Sequence, residues 1–130
     1  MQLGELKFSV LLFGLLQTLR VMARRHPAYA KRLAERNLTA QIRTADNRVA
    51  RHFPFRDGRV TSGRGIHPSA DITVTVQNAD LGVKLFSLHV DHLERIEAIK
   101  NFQLQAEGPD ELMVWFMQTL GMIFTLGWEY

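Results

Sequence analysis

The chain has no cysteine, and that excludes disulfides, thiolate zinc sites, iron–sulfur clusters and a cysteine nucleophile. Long apolar runs are also missing. The longest, Phe8 to Leu16, contains Ser9 and Gly14 and falls short of the ~20 residues that cross a bilayer. Arg20, Arg24 and Arg25 follow this run, whereas a cleaved signal peptide carries its positive charge ahead of its apolar segment. Repeats, low-complexity tracts and Gly/Ser linkers are absent as well. The expectation is a single domain over residues 1–130, with an N-terminal helical segment over residues 1–36 preceding a sheet. Its expected location is cytoplasmic, soluble or peripheral to a membrane. With 46% apolar and 22% charged residues, the composition suits a folded domain. A chain of this size buries about two thirds of its unfolded surface.

The net charge of +3 hides a dipole along the chain. Residues 1–68 carry thirteen Lys/Arg against four Asp/Glu, net +9, and residues 69–130 carry three against nine, net −6. A basic half suits anionic lipid headgroups, nucleic acid or an acidic partner, and charge alone does not choose among them.

From Leu3 to Arg25 apolar residues fill most of a helix circumference, leaving Gln17, Arg20 and Arg24 as a polar stripe. The helix should stop near His26, because Pro27 disfavours helical geometry in the residue before it. Pro27 then opens a second helix through Arg36. Next the period changes to two: Leu38, Ala40 and Ile42 alternate with Thr39, Gln41 and Arg43. Asp46-Asn47 offers a turn into a second strand carrying Val49, Phe53 and Phe55. Asp57-Gly58 predicts a tight hairpin with Phe55 opposite Val60 and Arg56 opposite Arg59. Pro54 lacks an N–H and implies an edge or a bulge. After the loop Gly63 to Pro68, a fourth strand over Asp71 to Gln77 completes a meander. Asn78 caps a short helix to Phe86, a further helix covers Leu88 to Ile99, and Phe102, Leu104 and Ala106 read as a fifth strand. Gly108-Pro109-Asp110-Glu111 starts a last helix running to about Leu126. The fold class is α+β, a mainly antiparallel five-stranded sheet with helices packed on one face.

No catalytic constellation stands out. His89 and His92 share a helical face around Asp91, with Glu94 beyond, but a zinc site needs a third ligand and none is identifiable. His26, His52 and His67 stand alone. Ser62 lacks a paired base, and Gly58 to Gly65 lacks the ending of a phosphate loop. Glu94/Glu97 and Asp110/Glu111 read as a solvated face and a helix start. No enzyme, no metal and no cofactor is expected. Arg43, Arg48, Arg51, Arg56, Arg59 and Arg64 cluster near Phe53 and Phe55 as in a single-strand-binding sheet. Yet Phe53, Phe55 and Val60 share the face that the helices must cover, so nucleic acid is not the expected partner.

The last helix is over-apolar. Leu112, Phe116, Leu120 and Ile123 form one stripe, flanked by Met113, Met117 and Phe124, with Trp115 and Met122 elsewhere. It is either sandwiched in the core, lining an apolar cavity, or in a dimer contact. Its methionines suit a surface of adaptable shape.

Ala70-Asp71-Ile72-Thr73-Val74-Thr75-Val76, followed by Ala79-Asp80-Leu81, resembles the strand-to-helix segment of the sterol carrier protein 2 (SCP2-like) family. Phe102 to Gly108 and the helix after it resemble that family's last strand and helix, so the resemblance covers about residues 38–126. It implies a helix-covered sheet around an apolar tunnel that takes fatty acid, acyl-CoA, sterol or isoprenoid lipid without chemistry. The implied lining is Phe53, Phe55, Val74, Val76, Leu85, Phe86, Phe102, Leu104, Leu112, Phe116 and Leu120. The implied headgroup cations are Arg51, Arg56, Arg59 and Arg64. A peripheral contact with anionic membrane through the first helix, a homodimer, or an accessory role in lipid or quinone biosynthesis through apolar helix contacts are the other expectations.

Overall fold

A computed structural model describes residues 2–86 and 92–126. Helix α1 spans Leu3–Arg25 and ends where Pro27 dictates. His26 is extended (φ −123°, ψ 104°) and donates its N–H to the Met22 carbonyl, after which Pro27 opens α2, Pro27–Leu33. This second helix stops short of Arg36. The chain turns there toward the sheet, and the Asn37 side chain accepts the Asp57 N–H of a hairpin.

Among the described residues six strands form the sheet, one more than expected because Gly63–Arg64 pairs with the second strand instead of looping: β1 (Leu38–Thr44), β2 (Ala50–Arg56), β3 (Arg59–Val60), β4 (Gly63–Arg64), β5 (Ile72–Val76) and β6 (Leu104–Glu107). Their order is β3-β2-β1-β5-β6, with β4 also on β2. The hairpin register is the expected one, Phe55 opposite Val60 and Arg56 opposite Arg59, with Asp57 (φ 53°) and Gly58 (φ 81°) in the left-handed region. Pro54 turns its missing N–H toward the gap between β3 and β4, where its carbonyl accepts from Thr61.

The sheet is mixed, and the four-strand meander is corrected. β5 lies on the far side of β1 and runs parallel to it, Ala40 opposite Ile72 and Thr44 opposite Val76. Alternation reports which face a side chain takes and not which strand sits beside it. The connection from β4 to β5 is long enough to cross the polar face of β1. It is pinned there by the Gln41 side chain, which accepts the His67 N–H at 2.6 Å, and by a reciprocal pair in which Asp71 N–H donates to the Thr39 carbonyl and Thr39 N–H to the Asp71 carboxylate. Thr39 and Gln41 are therefore buried although polar.

Asn78 caps α3 (Ala79–Leu85) by accepting the Leu81 N–H at 2.8 Å, and α4 covers His92–Lys100. The first part of the helix expected over Leu88 to Ile99 lies outside the described residues. Strand β6 begins later than expected, because Phe102 adopts φ 58° and cannot continue a strand. Gly108 (φ 143°) joins β6 to α5 (Asp110–Leu126), with its backbone against the Asp71 carbonyl.

The first helix packs onto the sheet and its neighbouring helices. Phe8, Leu12, Leu16, Leu19 and Met22 form a buried row along α1, which packs against β2, β3, α2, α3 and α5. By length and composition α1 is also long and apolar enough to cross a membrane, with a mean hydropathy of 1.5 over its most apolar stretch. Scanning for uninterrupted apolar runs underestimates it, because single polar residues break the run without changing the mean.

Candidate functional site

The strand registers put Leu38, Ala40, Ile42, Phe53, Phe55, Val60, Ile72, Val74, Val76, Leu104 and Ala106 on one face. Helices cover that face, and its large side chains meet the helix side chains directly. Phe55 stands edge-on to Trp115 at 5.7 Å and to Phe116 at 6.1 Å between ring centroids. Phe53, Phe55, Val74, Val76, Leu85, Leu104 and Phe116 are all buried. Phe86 follows α3 and packs its ring 5.9 Å from Phe8, while Leu112 and Leu120 are half-buried on α5. Ten of the eleven side chains implied as lining thus gather around one core. The eleventh does not: Phe102 is 77% exposed, because its left-handed turn points it away from the sheet.

Two contributors were missed. Trp115, placed off the main stripe by periodicity, is buried against Phe55. Its indole N–H donates to Glu35 at 3.1 Å. Phe8, Leu12, Leu16 and Leu19 of α1 join the same core outside the implied lining, and their spacings of four, four and three are the signal in the sequence.

Polar contacts tether α5 to α2. The Tyr29 hydroxyl donates to the Thr119 carbonyl at 2.9 Å, and burial holds that phenol well above its usual range while Arg32 pulls weakly the other way. Arg32 lies over the Trp115 ring and donates to Thr119 Oγ1 and the Trp115 carbonyl. Arg36 pairs with Glu111. A surface concavity of about 460 Å³ lies along this seam, lined by Arg32, Glu35, Arg36, Glu111, Val114, Trp115 and Gln118. A second, about 90 Å³, lies beside Gln2, Glu5, Thr44, Arg48 and Asp80. Neither lies between the sheet and α5.

The four arginines implied as headgroup cations separate into two pairs on opposite faces. Arg51 of β2 is opposite Arg64 of β4 on the helix-covered face, and Arg56 is opposite Arg59 on the other. Arg51 donates to Ser62 Oγ at 2.7 Å and stacks over the Phe13 ring of α1. Arg56 donates to its neighbour's carbonyl at Phe55. On the polar face His52 and His67 sit 5.0 Å apart, each held by a backbone group. His89 and the His92 side chain lie outside what is described. Among the described residues no three metal-ligating side chains converge.

These elements define an SCP2-like fold, a mixed sheet with helices on its apolar face. The UbiJ-SCP2 ubiquinone synthesis protein superposes with a TM-score of 0.60 at 18% identity, over 85% of this chain and 92% of that one. Protein TT1886 of Thermus thermophilus, described as a candidate sterol carrier protein, gives 0.52 at 13% identity over 86% and 82%. A double mutant of the sec-alkyl sulfatase PisA1 gives 0.50 at 21% identity over 75% of this chain, which matches 14% of that longer protein. No protein-family profile and no curated protein matches the sequence.

Proposed function

We propose that the protein binds a hydrophobic lipid, without chemistry, between the apolar sheet face and α5. One observation carries the reading. The face built from Phe53, Phe55, Val74 and Val76 is closed by a helix whose Leu112, Met113, Leu120 and Met122 are only half-buried and whose Val114 and Met117 are exposed. The aromatic side chains beneath that helix touch one another, so a ligand enters by re-seating α5, and methionine side chains accommodate such a change readily. The lining is Phe53, Phe55, Val74, Val76, Leu85, Phe86, Leu104, Leu112, Phe116 and Leu120. Affinity comes from burying the ligand chain, at about 25 cal/mol per Å² before ordering costs. Fatty acid, acyl-CoA, sterol and isoprenoid lipids fit this chemistry. The likeness to a ubiquinone synthesis protein adds quinone precursors. Of the four implied arginines, Arg51 and Arg64 lie on the covered face to meet a headgroup. The location that suits this role is the cytoplasm.

The test is native mass spectrometry of protein purified from cells, with competitive displacement of a fluorescent fatty acid. Bound lipid or saturable uptake, lost in Phe116→Asp and in the milder Leu120→Arg, supports the reading. A lipid-free protein with no uptake overturns it.

The outer row of α1 favours a second reading, an accessory module. Leu3, Leu6, Val10 and Phe13 are exposed at 67%, 51%, 62% and 48%. They suit a partner helix, a second copy or the surface of an anionic membrane. Light scattering that shows a stable oligomer without bound lipid would favour it.

A further inference from the structure

Like charges placed directly opposite each other on neighbouring strands destabilise a sheet unless something neutralises them. Arg51 and Arg64 are such a pair, on the same face of the β2–β4 ladder. Among the described residues no carboxylate lies within ion-pair distance of either, although Arg32, Arg36 and Arg48 each have one. Burial and the neighbouring Arg64 both pull the Arg51 guanidinium below its ordinary value.

Arg51 is also held in position. Arg51 lies over the Phe13 ring, 5.5 Å from its centroid, and donates one N–H to Ser62 Oγ. Ser62 accepts that bond, so its own hydroxyl proton remains available to a further acceptor. Arg64 projects from the same face of the adjacent strand, near enough for its charge to act on Arg51, so two guanidinium forks share the patch where Arg51 meets the Ser62 hydroxyl. A planar carboxylate has two oxygens, enough for one fork. A tetrahedral phosphate has three or four and gives each fork its own acceptors.

We propose that Arg51 and Arg64, together with the Ser62 hydroxyl, form a binding site for a phosphate group. The phosphate belongs either to a lipid headgroup, with the exposed Val10 and Phe13 of α1 beside it, or to a small soluble phosphate. In the first case the site rests on the lipid-binding reading and extends it. In the second it stands apart.

The opposite face supplies a control of equal charge. Arg56 and Arg59 are also cross-strand neighbours, but they lie on the opposite face, and Arg56 is engaged by the Phe55 carbonyl and Thr39 Oγ1. The full chain is titrated with inorganic phosphate, against sodium chloride of matched ionic strength, while the arginine Nε–H resonances are followed by NMR. In parallel it is sedimented with vesicles of phosphatidylcholine alone and of phosphatidylcholine with phosphatidic acid. Saturable shifts of the Arg51 and Arg64 signals, or recruitment by phosphatidic acid only, support the site and identify the source. Arg51→Gln with Arg64→Gln should weaken that binding about tenfold or more, as expected for losing charge-assisted hydrogen bonds. Arg56→Gln with Arg59→Gln should leave it within about twofold. Equal losses in the two double variants, no loss in the first, or no response of the wild type to either probe overturn the proposal. The NMR titration on wild type keeps the test valid even where a variant folds poorly. Fatty-acid uptake, measured on the same samples, reports separately on the lipid-binding reading.

Discussion

Gly82 on α3 lies directly against the ring of Phe8 on α1, so closely that a Cβ at residue 82 would sit 2.7 Å from two ring carbons. Phe8 is completely buried and also packs against Phe86, so the ring has nowhere to retreat. Gly82→Ala, usually stabilising within a helix, should here cost about 1–3 kcal/mol by overpacking. Urea denaturation checks it, and an unchanged or raised midpoint would show that the α1–α3 contact is looser than described.

Gly108→Ala should destabilise by at least ~1–3 kcal/mol, because φ 143° is a region open in practice to glycine alone and the new Cβ would lie 2.5 Å from the Asp71 carbonyl. The N–H and carboxylate of the same Asp71 anchor β5 beside β1 through Thr39. Thermal melting is the readout, with Gly65→Ala as a comparison: that position also has positive φ (85°), but a Cβ there meets nothing within 4 Å. The smaller loss should be at residue 65.

Tyr29 makes stability depend on alkaline pH. Its phenol stays protonated in the folded protein, where burial raises its pKa, whereas an unfolded tyrosine ionises near pH ~10. The unfolded state therefore binds fewer protons above that pH, and stability falls as pH rises beyond it. Tyr29→Phe should cost about 1 kcal/mol at neutral pH through the lost bond to Thr119. It should also flatten the decline above about pH 10, read from denaturant midpoints. An equally steep decline in the variant would assign the effect to another group.

Phe102→Ser should change stability by less than ~0.5 kcal/mol, since the side chain is 77% exposed. Phe55→Ala should cost about 3–5 kcal/mol, because that ring is fully buried against Trp115 and Phe116. The contrast matters for function as well: fatty-acid uptake should survive the first change and be lost with the second.

Much of the local structure was legible in the residues. Pro27 marked the α1–α2 boundary, Asp57-Gly58 set a hairpin register, and Asn78 announced α3, because each acts through its own backbone geometry or a bond spanning three residues. The apolar face of the sheet was legible for the same reason, since side chains alternate with a period of two along a strand whatever lies beside it. Phe102 shows the limit of that argument. It keeps the alternation of Leu104 and Ala106, yet one left-handed residue removes it from the strand.

What the sequence by itself determined was most of the elements, though not the short strand β4, together with their apolar faces and the lack of a cysteine. Tertiary structure alone decided that β5 pairs with β1 rather than continuing a meander, that α1 lies on the sheet, and that the four arginines divide between two faces. Those outcomes depend on which strand edges and helix faces meet across dozens of residues. Competition for burial among distant surfaces settles that, and a local pattern carries no record of its neighbour.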